Sequence, residues 1–481
     1  MANSVRSTSA DLVARVHAAV TRALERAQAS SGAPATPSVC VGLSGGIDSV
    51  VLLHAFAALA REGHVRLSAV HVHHGLSPNA DRWASFCRAA CRRLKVPLSV
   101  ARVVVDRQSG IGIEAAARLE RHRVFGARRV DWIALGHHRD DQAETVLLQL
   151  LRGAGLRGLS AMPEDSGEAT LEGTPRVLRP LLDLPRATLD ACARQQGLAW
   201  IEDESNDDTT FDRNFIRHEV LPLLERRFPA ARASLARSGR LLAQSARLVE
   251  AVAMKDLRAA LQDSAVRLVG VSLPVLAAIG EGRARELLRA WLRAQGVPMP
   301  SERRLAEALR QAAEAGPERA VEIAFDGVTL RRYRDRLYLD RAPLAQGATI
   351  GARATTGQAF AEMSWNRRAR MALPMLGGTL LVEPARGTGI ASRSLRGAVV
   401  TLDVRLRAGG PALRMTIGHP PMRRTLKNLW QASAVPPWQR DRWPLLRIDG
   451  ELACVPDVAV ASPFEARGDV PGRVFHWVPD A

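Results

Sequence analysis

Residues 39–49 read Val-Cys-Val-Gly-Leu-Ser-Gly-Gly-Ile-Asp-Ser, and this stretch decides the fold. A short apolar run closed by glycines predicts a buried β-strand. The apolar residues of 47–60 then recur at the spacing of an α-helix. A tight Ser44-Gly45-Gly46 turn would therefore connect a strand to a helix, which is typical of α/β folds.

The same turn predicts an anion site at the start of the helix. The first N–H groups of a helix lack intrahelical acceptors, and the helix dipole adds positive partial charge there. Gly45 and Gly46 allow the backbone to approach a phosphate closely, while Ser44 and Ser49 can add hydroxyl donors. Asp48 can bind a metal ion or help to cap the helix. An ordinary turn rich in small residues is the alternative.

The composition indicates a folded, basic chain. A length of 481 residues exceeds one typical core, so we expect two to four domains, and 47% hydrophobic residues exclude a mainly disordered protein. The net charge of +18 favours a polyanionic partner, most simply nucleic acid, with a solubilising surface as the alternative. Five scattered cysteines suit a reducing cytoplasm. Neither a membrane span nor a signal pattern is evident, so we expect no membrane partner.

Strand and helix patterns alternate after the opening stretch. Apolar runs predict strands at 66–70, 98–105 and 130–135, and helical spacing predicts helices at 80–94, 113–125 and 140–152. This alternation predicts a parallel sheet covered by helices on both faces. Ligands of such folds bind at the carboxyl ends of the strands.

Two polar clusters follow these strand ends. His71 opens a histidine-rich stretch that could contact a nucleotide, bind zinc or pack in the core. His137 and Asp141 lie four residues apart near a helix start, where two acidic groups facing a nucleotide could hold Mg²⁺ and the imidazole could accept a proton. Asp141 and Glu144 also resemble a capping box, so one carboxylate could simply begin the helix.

Two further motifs pair charges along predicted helices. Glu114 and Arg118 are four residues apart, and they form either a surface ion pair or a site for a substrate amine and carboxylate. Arg213, Asn214 and Arg217 open a helix after the acidic stretch 200–206. They favour RNA contact near the active site, with a capped helix start and solvated arginines as the alternative.

The rest of the chain divides by composition. Residues 162–179 read as a mobile loop or small hairpin, and Asp326-Gly327 between alternating residues predicts a hairpin turn. We expect a flexible N-terminal extension with an amphipathic helical pattern (1–37) and an α/β domain (38–225). A mainly helical domain (226–341), a linker (342–359) and a small α+β domain (360–481) should follow.

A basic segment of the last domain is a candidate RNA contact. Residues 420–431 predict a helix with Arg423, Arg424 and Lys427 near one face. Trp430 and two further tryptophans are close in sequence, and basic residues interleaved with aromatics suit RNA backbone contact and base stacking. A buried tryptophan core beneath a solvated basic face is the alternative.

Taken together, these motifs resemble the tRNA(Ile)-lysidine synthases, a family of PP-loop ATP pyrophosphatases. The resemblance begins with Ser-Gly-Gly-x-Asp-Ser at 44–49, and the chain lacks the Gly-Lys-Ser/Thr ending of a Walker loop. It continues in order through 71–76, 113–118, 137–145, 150–155, 179–182, 200–206, 213–217, Lys427 and 435–438. Ser77 departs from the arginine often found there in relatives, and residues 1–37 lie outside the resemblance.

The resemblance implies an activity. It implies that ATP adenylates C2 of the wobble cytidine in tRNA(Ile) with a CAU anticodon, that L-lysine then replaces AMP to form lysidine, and that decoding switches from AUG to AUA. Asp48, His137 and Asp141 would be catalytic, and Asp48 and Asp141 would hold Mg²⁺. The remaining contacts would be to ATP from Ser44, Gly45, Gly46, Ile47, Asp48, Ser49 and His71, to lysine or nucleotide from Glu114 and Arg118, and to tRNA from Arg213, Asn214, Arg217, Arg423, Arg424 and Lys427.

Two other functions are compatible with the motifs. A tRNA thiolase on the same scaffold would need catalytic cysteines, whereas Cys87 and Cys91 lie among apolar neighbours on a helix and favour a structural role. A tRNA-binding protein with an inactive nucleotide site is the second alternative, against which the intact 44–49 loop argues. The sequence leaves a homodimer open.

Overall fold

Strand β1 (Ser38–Gly42) occupies the centre of a five-stranded sheet ordered β3-β2-β1-β4-β5. Every neighbouring pair in this sheet is parallel. The other strands are β2 (Arg66–His73), β3 (Leu98–Arg102), β4 (Trp132–Ala134) and β5 (Arg176–Leu178). The parallel α/β fold predicted from the alternating pattern is therefore confirmed.

The computed structural model describes residues 2–31, 36–106, 108, 110, 112–166, 174–261, 270–315, 321–325, 327–341, 362–365, 367–374, 376–403 and 414–479. The chain forms two units, Met1–Leu248 and Val249–Ala481, which differ from the sequence-based boundaries. The predicted five-part division stays a prediction, and its linker at 342–359 lies outside the described residues. In the part of the chain that is described, no helix has the length and apolarity that crossing a bilayer requires.

The helices between residues 2 and 261 follow, and the last of them crosses the boundary between the two units. They are α1 (Ala2–Ser31), α2 (Ile47–Arg61), α3 (Ala80–Leu94), α4 (Ile113–Gly126), α5 (Arg139–Leu151), α6 (Leu156–Leu159), α7 (Arg186–Gln195), α8 (Asp212–Phe215), α9 (Leu221–Arg227) and α10 (Ala231–Leu261). Helix α2 is apolar on nearly all sides, which is typical of a buried helix, and its side chains fill the main core with those of β1.

The order of the strands positions the ligand site. The chain runs from β1 outward through β2 to β3 and then returns to the other side of β1 as β4. Ligands of open parallel sheets bind at such a reversal, at the carboxyl ends of the strands. The turn after β1 and the turn after β4 therefore meet at the edge of the sheet where binding is expected.

Helix α1 corrects the expectation of a flexible extension. Its helical pattern is confirmed, but Val16, Val20 and Leu24 are buried in the main core, where burial of apolar area stabilises the fold. Arg26 also forms a two-bonded ion pair with Glu164, at 3.0 and 2.6 Å. Tertiary packing therefore holds this segment against the domain.

The segment predicted as a loop or small hairpin at 162–179 pairs with itself in antiparallel fashion, which bears out the hairpin, and its strand β5 also joins the parallel sheet, which the sequence analysis missed. Strand β5 pairs in parallel with β4, and Asp165 forms an isolated antiparallel bridge with Leu178. Three residues are too few to show a periodicity, so this strand carries no signal of its own. Residues 167–173 lie outside the described part.

The second unit begins with a helical layer on an antiparallel sheet. Its elements are β6 (Gly270–Ser272), α11 (Leu273–Ala278), α12 (Glu281–Ala294), α13 (Glu302–Glu314), β7 (Glu322–Phe325), β8 (Val328–Tyr333) and β9 (Arg336–Asp340). The hairpin predicted around Gly327 is confirmed by the pairing of β7 with β8, although Asp326 lies outside the described residues.

The remaining elements form antiparallel sheets around a second core. They are β10 (Glu362–Ser364), β11 (Arg370–Leu373), β12 (Gly378–Arg386), β13 (Ile390–Ala391), β14 (Val400–Asp403), β15 (Arg414–Ile417), β16 (Met422–Thr425), α14 (Leu426–Ala432), α15 (Pro437–Arg440), β17 (Leu445–Ile448), β18 (Glu451–Val455), β19 (Ala459–Val460) and β20 (Pro471–Pro479). Strand β16 occupies part of the predicted basic helix at 420–431, and the helix itself begins only at Leu426.

Candidate active site

The turn after β1 leads directly into the start of helix α2. The N–H group of Val50 is the first to make the helical bond, to the carbonyl of Gly46 at 3.0 Å, so the amides of the preceding turn have no helical acceptor. Gly45 has a φ of +95°, a conformation that side chains other than glycine rarely adopt. The backbone geometry thus suits the anion site predicted from 44–49.

The two serines of the turn brace it from within. The Ser49 hydroxyl donates to the carbonyl of Gly46 at 2.9 Å and accepts from the N–H of Gly45 at 3.2 Å. The Ser44 hydroxyl accepts from the N–H of Gly46 at 3.3 Å and lies 3.1 Å from the Ser49 hydroxyl. These bonds hold the loop in one shape, so its amides are already ordered before an anion binds.

The segment that contains Ile201 and Glu204 covers the turn at 44–46. Ile201 donates its N–H to the carbonyl of Gly45 at 2.9 Å, and its Cδ1 would lie 2.6 Å from a Cβ on Gly45. Asn79 donates to Glu204 at 2.7 Å, which ties this segment to the loop after β2. Glycine at position 45 is therefore required by the close packing as well as by the positive φ.

His71 lies inside β2 and not after it. Its side chain is buried, and Nδ1 donates to the carbonyl of Leu43 at 2.8 Å, with the Cys87 thiol 3.6 Å away. Burial lowers the pKa of His71, so its ring is neutral. It forms a wall behind the loop. Within the described ranges, no group of three or more His, Cys, Asp or Glu is arranged to hold a metal ion, zinc included.

Gly136 brings a second helix to the same place. A Cβ at this position would lie 2.9 Å from the backbone carbonyl of Asp48 and 3.1 Å from the N–H nitrogen of Ser49. Only glycine allows so close an approach of the β4–α5 turn to helix α2. The starts of α2 and α5, with their positive partial charges, therefore face one ligand site.

Asp48 and Asp141 lie on either side of His138. The Nε2 atom of His138 is 3.7 Å from Oδ2 of Asp48 and 3.5 Å from Oδ2 of Asp141. Burial raises the pKa of Asp48, and its Oδ1 is buried without a partner among the described residues. Burial also opposes ionisation of Asp141, but the neighbouring His138 and Arg213 lower its pKa overall.

Arg213 and Arg217 contact carboxylates of their own domain. Arg217 donates to Glu144 at 2.6 and 2.9 Å and to Asp141 at 3.3 Å. Arg213 donates to Glu144 at 2.8 Å and to Asp141 at 3.0 Å. Asn214 donates to the carbonyl of Asp208 at 2.9 Å. The predicted role of these three residues in tRNA contact stays a prediction, and the ion pairs are their observed contacts.

A set of arginines forms a positive patch around the neutral His137 beside this cluster. Burial lowers the pKa of His137 to about 3, and its Nδ1 has no partner in the described structure. Burial and the charge of Arg118 lower the pKa of Arg179 to about 10. Burial and Arg118 also lower the pKa of Arg121. Glu114 and Arg118 are both exposed on α4, so the structure leaves this predicted pair open to solvent.

A cavity of about 290 Å³ opens next to the same carboxylates. It is lined by the acidic residues Asp140, Glu144 and Asp190, by Arg186, Arg217 and Arg232, and by His138, Ala187 and His218. Oδ1 of Asp140 is buried without a partner among the residues described. These acidic and basic groups are ion-paired, Arg217 with Glu144, Arg232 with Asp140 and Arg186 with Asp190, and charges of both signs suit a ligand that carries both an ammonium and a carboxylate.

Four residues of this region were not singled out for a role in the sequence analysis, namely His138, Glu144 as an arginine acceptor, Arg121 and Arg179. His138 adjoins His137, and Arg179 opens a stretch that matched the family, so both had a local signal. Glu144 lay in the matched stretch 137–145 and in the candidate capping box, but its arginine partners, like the role of Arg121, depend on contacts between segments far apart in sequence.

The basic residues of the second unit are placed differently from the prediction. Arg423 and Arg424 lie next to each other on β16, where adjacent side chains point to opposite faces, whereas Lys427 lies on α14. All three are exposed. Trp443 is 1% exposed, and Trp438 packs edge-on against Tyr333 and Tyr338, which supports the alternative of a tryptophan core.

Comparison with known proteins identifies three matching regions. A family model described as a PP-loop domain matches residues 17–224. The TilS substrate binding domain matches residues 272–338, and the TilS substrate C-terminal domain matches residues 402–477. The first match starts inside α1, so the expectation that residues 1–37 lie outside the resemblance is wrong.

Curated relatives match over most of their length. The tRNA(Ile)-lysidine synthase of Chromobacterium violaceum is 41% identical, over 89% of this chain and 93% of its own. That of Azoarcus sp. is 39% identical, over 92% of each chain. Among solved structures, the U34-tRNA thiolase NcsA of Methanococcus maripaludis is 16% identical with a TM-score of 0.38, over 47% of this chain and 80% of its own. On the curated relatives and the three domain matches, the chain belongs to the tRNA(Ile)-lysidine synthase family.

Proposed function

We propose that this protein uses ATP to ligate L-lysine to C2 of the wobble cytidine in tRNA(Ile) with a CAU anticodon. The observation that carries the proposal is the meeting of two helix starts and two carboxylates at one sheet edge, beside a cavity with charges of both signs. The change from cytidine to lysidine would switch decoding from AUG to AUA.

The triphosphate would bind at the start of α2. The amides of 47–49 and the dipole of α2 are suited to phosphate oxygens. Asp48 and Asp141 fit Mg²⁺ in company with phosphates, because this ion is usually held by one or two carboxylates plus the substrate. The buried, unpartnered Oδ1 of Asp48 is the atom that such a partner would satisfy. The ion would neutralise charge on the leaving pyrophosphate.

In the first step, the C2 oxygen of the cytidine would attack the α-phosphorus of ATP, and the bond to pyrophosphate would break. The product is an adenylated cytidine with AMP joined through that oxygen. The loop amides, together with Arg118, Arg121 and Arg179, would stabilise the negative charge that develops on the phosphates.

In the second step, the lysine ε-amine would attack C2, and the C2–O bond to AMP would break. The cavity lined by Asp140, Asp190 and Arg232 supports a site for the amino acid, since it offers partners to both its ammonium and its carboxylate. The exposed pair Glu114 and Arg118 would then contact the nucleotide or the tRNA.

The ε-ammonium must lose a proton before it can attack. His137 is neutral but, with a pKa of about 3, is a weak base suited to accepting a hydrogen bond. The pKa of Asp141 is lowered as well, whereas burial raises that of Asp48. Because Asp48 and Asp141 are the proposed ligands of Mg²⁺, neither is assigned as the base, and His137 would orient the ε-amine by accepting a hydrogen bond.

The test is transfer of labelled lysine to RNA. Purified protein is incubated with a CAU-anticodon tRNA(Ile) transcript, ATP and labelled L-lysine, and nucleosides are analysed by mass spectrometry. We expect label on the wobble cytidine, one pyrophosphate released per lysine, and loss of both in Asp48→Asn. If no label is transferred although a control shows that the tRNA is active, the proposal is contradicted.

The same spectra test the thiolase alternative, because sulfur and lysine add different masses. Burial raises the pKa of Cys87 to about 12 and of Cys91 to about 11, so neither thiol is ionised at neutral pH. A protonated thiol is a poor nucleophile and a poor cluster ligand. A protein that binds tRNA without catalysis would release no pyrophosphate in the presence of tRNA and lysine.

A further inference from the structure

His138 occupies the N-cap position of helix α5, where Ser, Thr, Asp or Asn is the usual choice. Its side chain is 2% exposed. Nδ1 accepts a hydrogen bond from the N–H of Asp141 at 3.4 Å, and the N–H of His138 donates to the Asp141 carboxylate at 3.0 Å. Because Nδ1 acts as an acceptor, Nε2 carries the ring proton.

The Nε2–H group points between carboxylates of two different helices. It lies 3.5 Å from Oδ2 of Asp141 on α5 and 3.7 Å from Oδ2 of Asp48 on α2. A cap needs only the acceptor on Nδ1, so the cap does not explain the second nitrogen. The position of Nε2 is explained if it holds the two carboxylates.

The backbone leaves these carboxylates little freedom to separate. Gly136 packs directly on the backbone of Asp48, so the starts of α2 and α5 are fixed close together. Two like charges held close in a partly buried site repel each other strongly. Because Nε2 lies within 3.7 Å of an oxygen of each carboxylate, its N–H group can offset this repulsion.

We propose that His138 is a positioning residue that holds Asp48 and Asp141 at the separation needed to bind a divalent cation with ATP. This deepens the proposed function and rests on it. His138 also lines the cavity assigned above to the amino acid, but the role proposed here is exerted through the two aspartates. Loss of Nε2–H therefore weakens binding of the metal and its nucleotide even when helix α5 is still capped.

Three substitutions separate the cap from the second nitrogen. In His138→Asn, the amide oxygen takes the place of Nδ1, so the cap is kept and the donor toward the aspartates is lost. In His138→Gln, the amide nitrogen reaches the place of Nε2, so the donor is kept and the cap is lost. His138→Ala loses both, and His64→Asn, at a side chain 62% exposed, is the matched control.

The first readout is binding of Mn²⁺ in the presence of a non-hydrolysable ATP analogue, measured by electron paramagnetic resonance. We expect the dissociation constant to rise at least about tenfold in His138→Asn and to stay within about threefold of the unsubstituted protein in His138→Gln, since outer partners of metal ligands have effects of this size. The thermal midpoint should fall in His138→Gln and stay unchanged in His138→Asn.

The second readout is lysidine formation. We expect kcat to fall about 100-fold in His138→Asn with the KM for tRNA unchanged. The kcat of His138→Gln should be at least about tenfold higher than that of His138→Asn. Unaltered Mn²⁺ binding in His138→Asn would overturn the proposal, whatever happens to His138→Gln. Equal weakening in both variants, with His138→Gln folded, would also overturn it.

The two proposals can fail separately. If the unsubstituted protein forms no lysidine, the proposed function fails, while the order of Mn²⁺ affinities among the variants still decides the role of His138. If lysidine forms normally in every variant, the function stands and the positioning role does not.

Discussion

Two arginine pairs with the same predicted role are used differently in this protein. Arg213 and Arg217 donate to the carboxylates of Asp141 and Glu144 at 2.6–3.3 Å. Arg423 and Arg424 are exposed on a short strand, and no ion pair to them exists within the described residues. Charge and spacing alone did not distinguish the two pairs.

The difference follows from burial. Glu144 is 1% exposed, and a carboxylate removed from water is tolerated only when it is paired and hydrogen-bonded. The first arginine pair therefore completes the protein's own structure around the candidate site. The exposed pair keeps its donors available, which suits the phosphates of a nucleic acid. Substitutions at the first pair should thus alter folding and catalysis together, and those at the second only binding.

The largest effect is expected from Glu144→Gln, which keeps the shape of the side chain and removes its charge. Both guanidinium groups then lose their main acceptor while partly buried. We expect the free energy of unfolding to fall by about 2–4 kcal/mol, discounted from a fully buried pair because the arginines are partly exposed. Urea denaturation of the protein, followed by circular dichroism, measures this free energy.

The comparison supplies the control for that experiment. The double substitution Arg423→Ala/Arg424→Ala should change the free energy of unfolding by less than about 0.5 kcal/mol, as is usual at exposed sites. If both variants unfold at the same urea concentration, the buried cluster does not stabilise the fold, and the distinction between the two pairs fails.

The next effect in size concerns the contact that brings the two carboxylates together. Gly136→Ala places a Cβ 2.9 Å from backbone atoms of Asp48, which cannot move aside as a side chain would. We expect a loss of about 1–3 kcal/mol in unfolding free energy and at least about a 100-fold loss of lysidine formation. Gly126→Ala is the control, since a Cβ there meets nothing within 4 Å. An active Gly136→Ala variant would show that the contact is not required.

Local patterns were sufficient to predict the centre of the fold. The glycine turn at 44–46 and the helix after it follow from short-range chemistry, and helix α3 has the predicted bounds, 80–94. The partners of Arg217 could not be predicted in the same way, because Glu144 lies 73 positions away in the sequence. Periodicity also predicted α1, but only packing shows that its apolar side is buried.

The exposed arginine pair illustrates a signal that was available and overlooked. The apolar spacing of 420–431 favoured a helix, yet Thr425 caps helix α14 by accepting the N–H of Asn428 at 3.3 Å. A threonine before an apolar run is a typical helix start and could have placed that start after Arg424. The strand that carries the pair depends on pairing with β15, which sequence periodicity over four residues cannot reveal.

A smaller effect is expected at the exposed pair itself. Arg423→Ala/Arg424→Ala should weaken tRNA binding about tenfold near 0.15 M salt and reduce the slope of log affinity against log salt by about 1.5, as expected when two phosphate contacts are lost. Filter binding over a salt series measures both quantities. Arg92→Ala/Arg93→Ala, an exposed pair on α3, removes the same charge and should change neither. Equal effects of the two double variants would mean that net charge, and not this strand, determines affinity.

The smallest effect should appear in the pH dependence of stability. It tests whether water is excluded from the region around Arg213 and Arg217, as the buried ion pairs there imply. Burial lowers the pKa of His137 to about 3, so the folded protein keeps this ring neutral while the unfolded chain takes up a proton below about pH 6.5. The stabilisation from the neutral ring is therefore complete above pH 6.5 and is lost as the pH falls toward 3. The unfolding free energy should fall between pH 7.5 and pH 4.5, and in His137→Gln we expect this fall to be smaller by about 1 kcal/mol. The difference is less than the full pKa shift would give, because the side chain is partly in contact with solvent. The control is His64→Gln, at an exposed histidine, which should leave the loss of unfolding free energy unchanged. If both variants change it by a similar amount, His137 is exposed to water and burial does not keep its ring neutral.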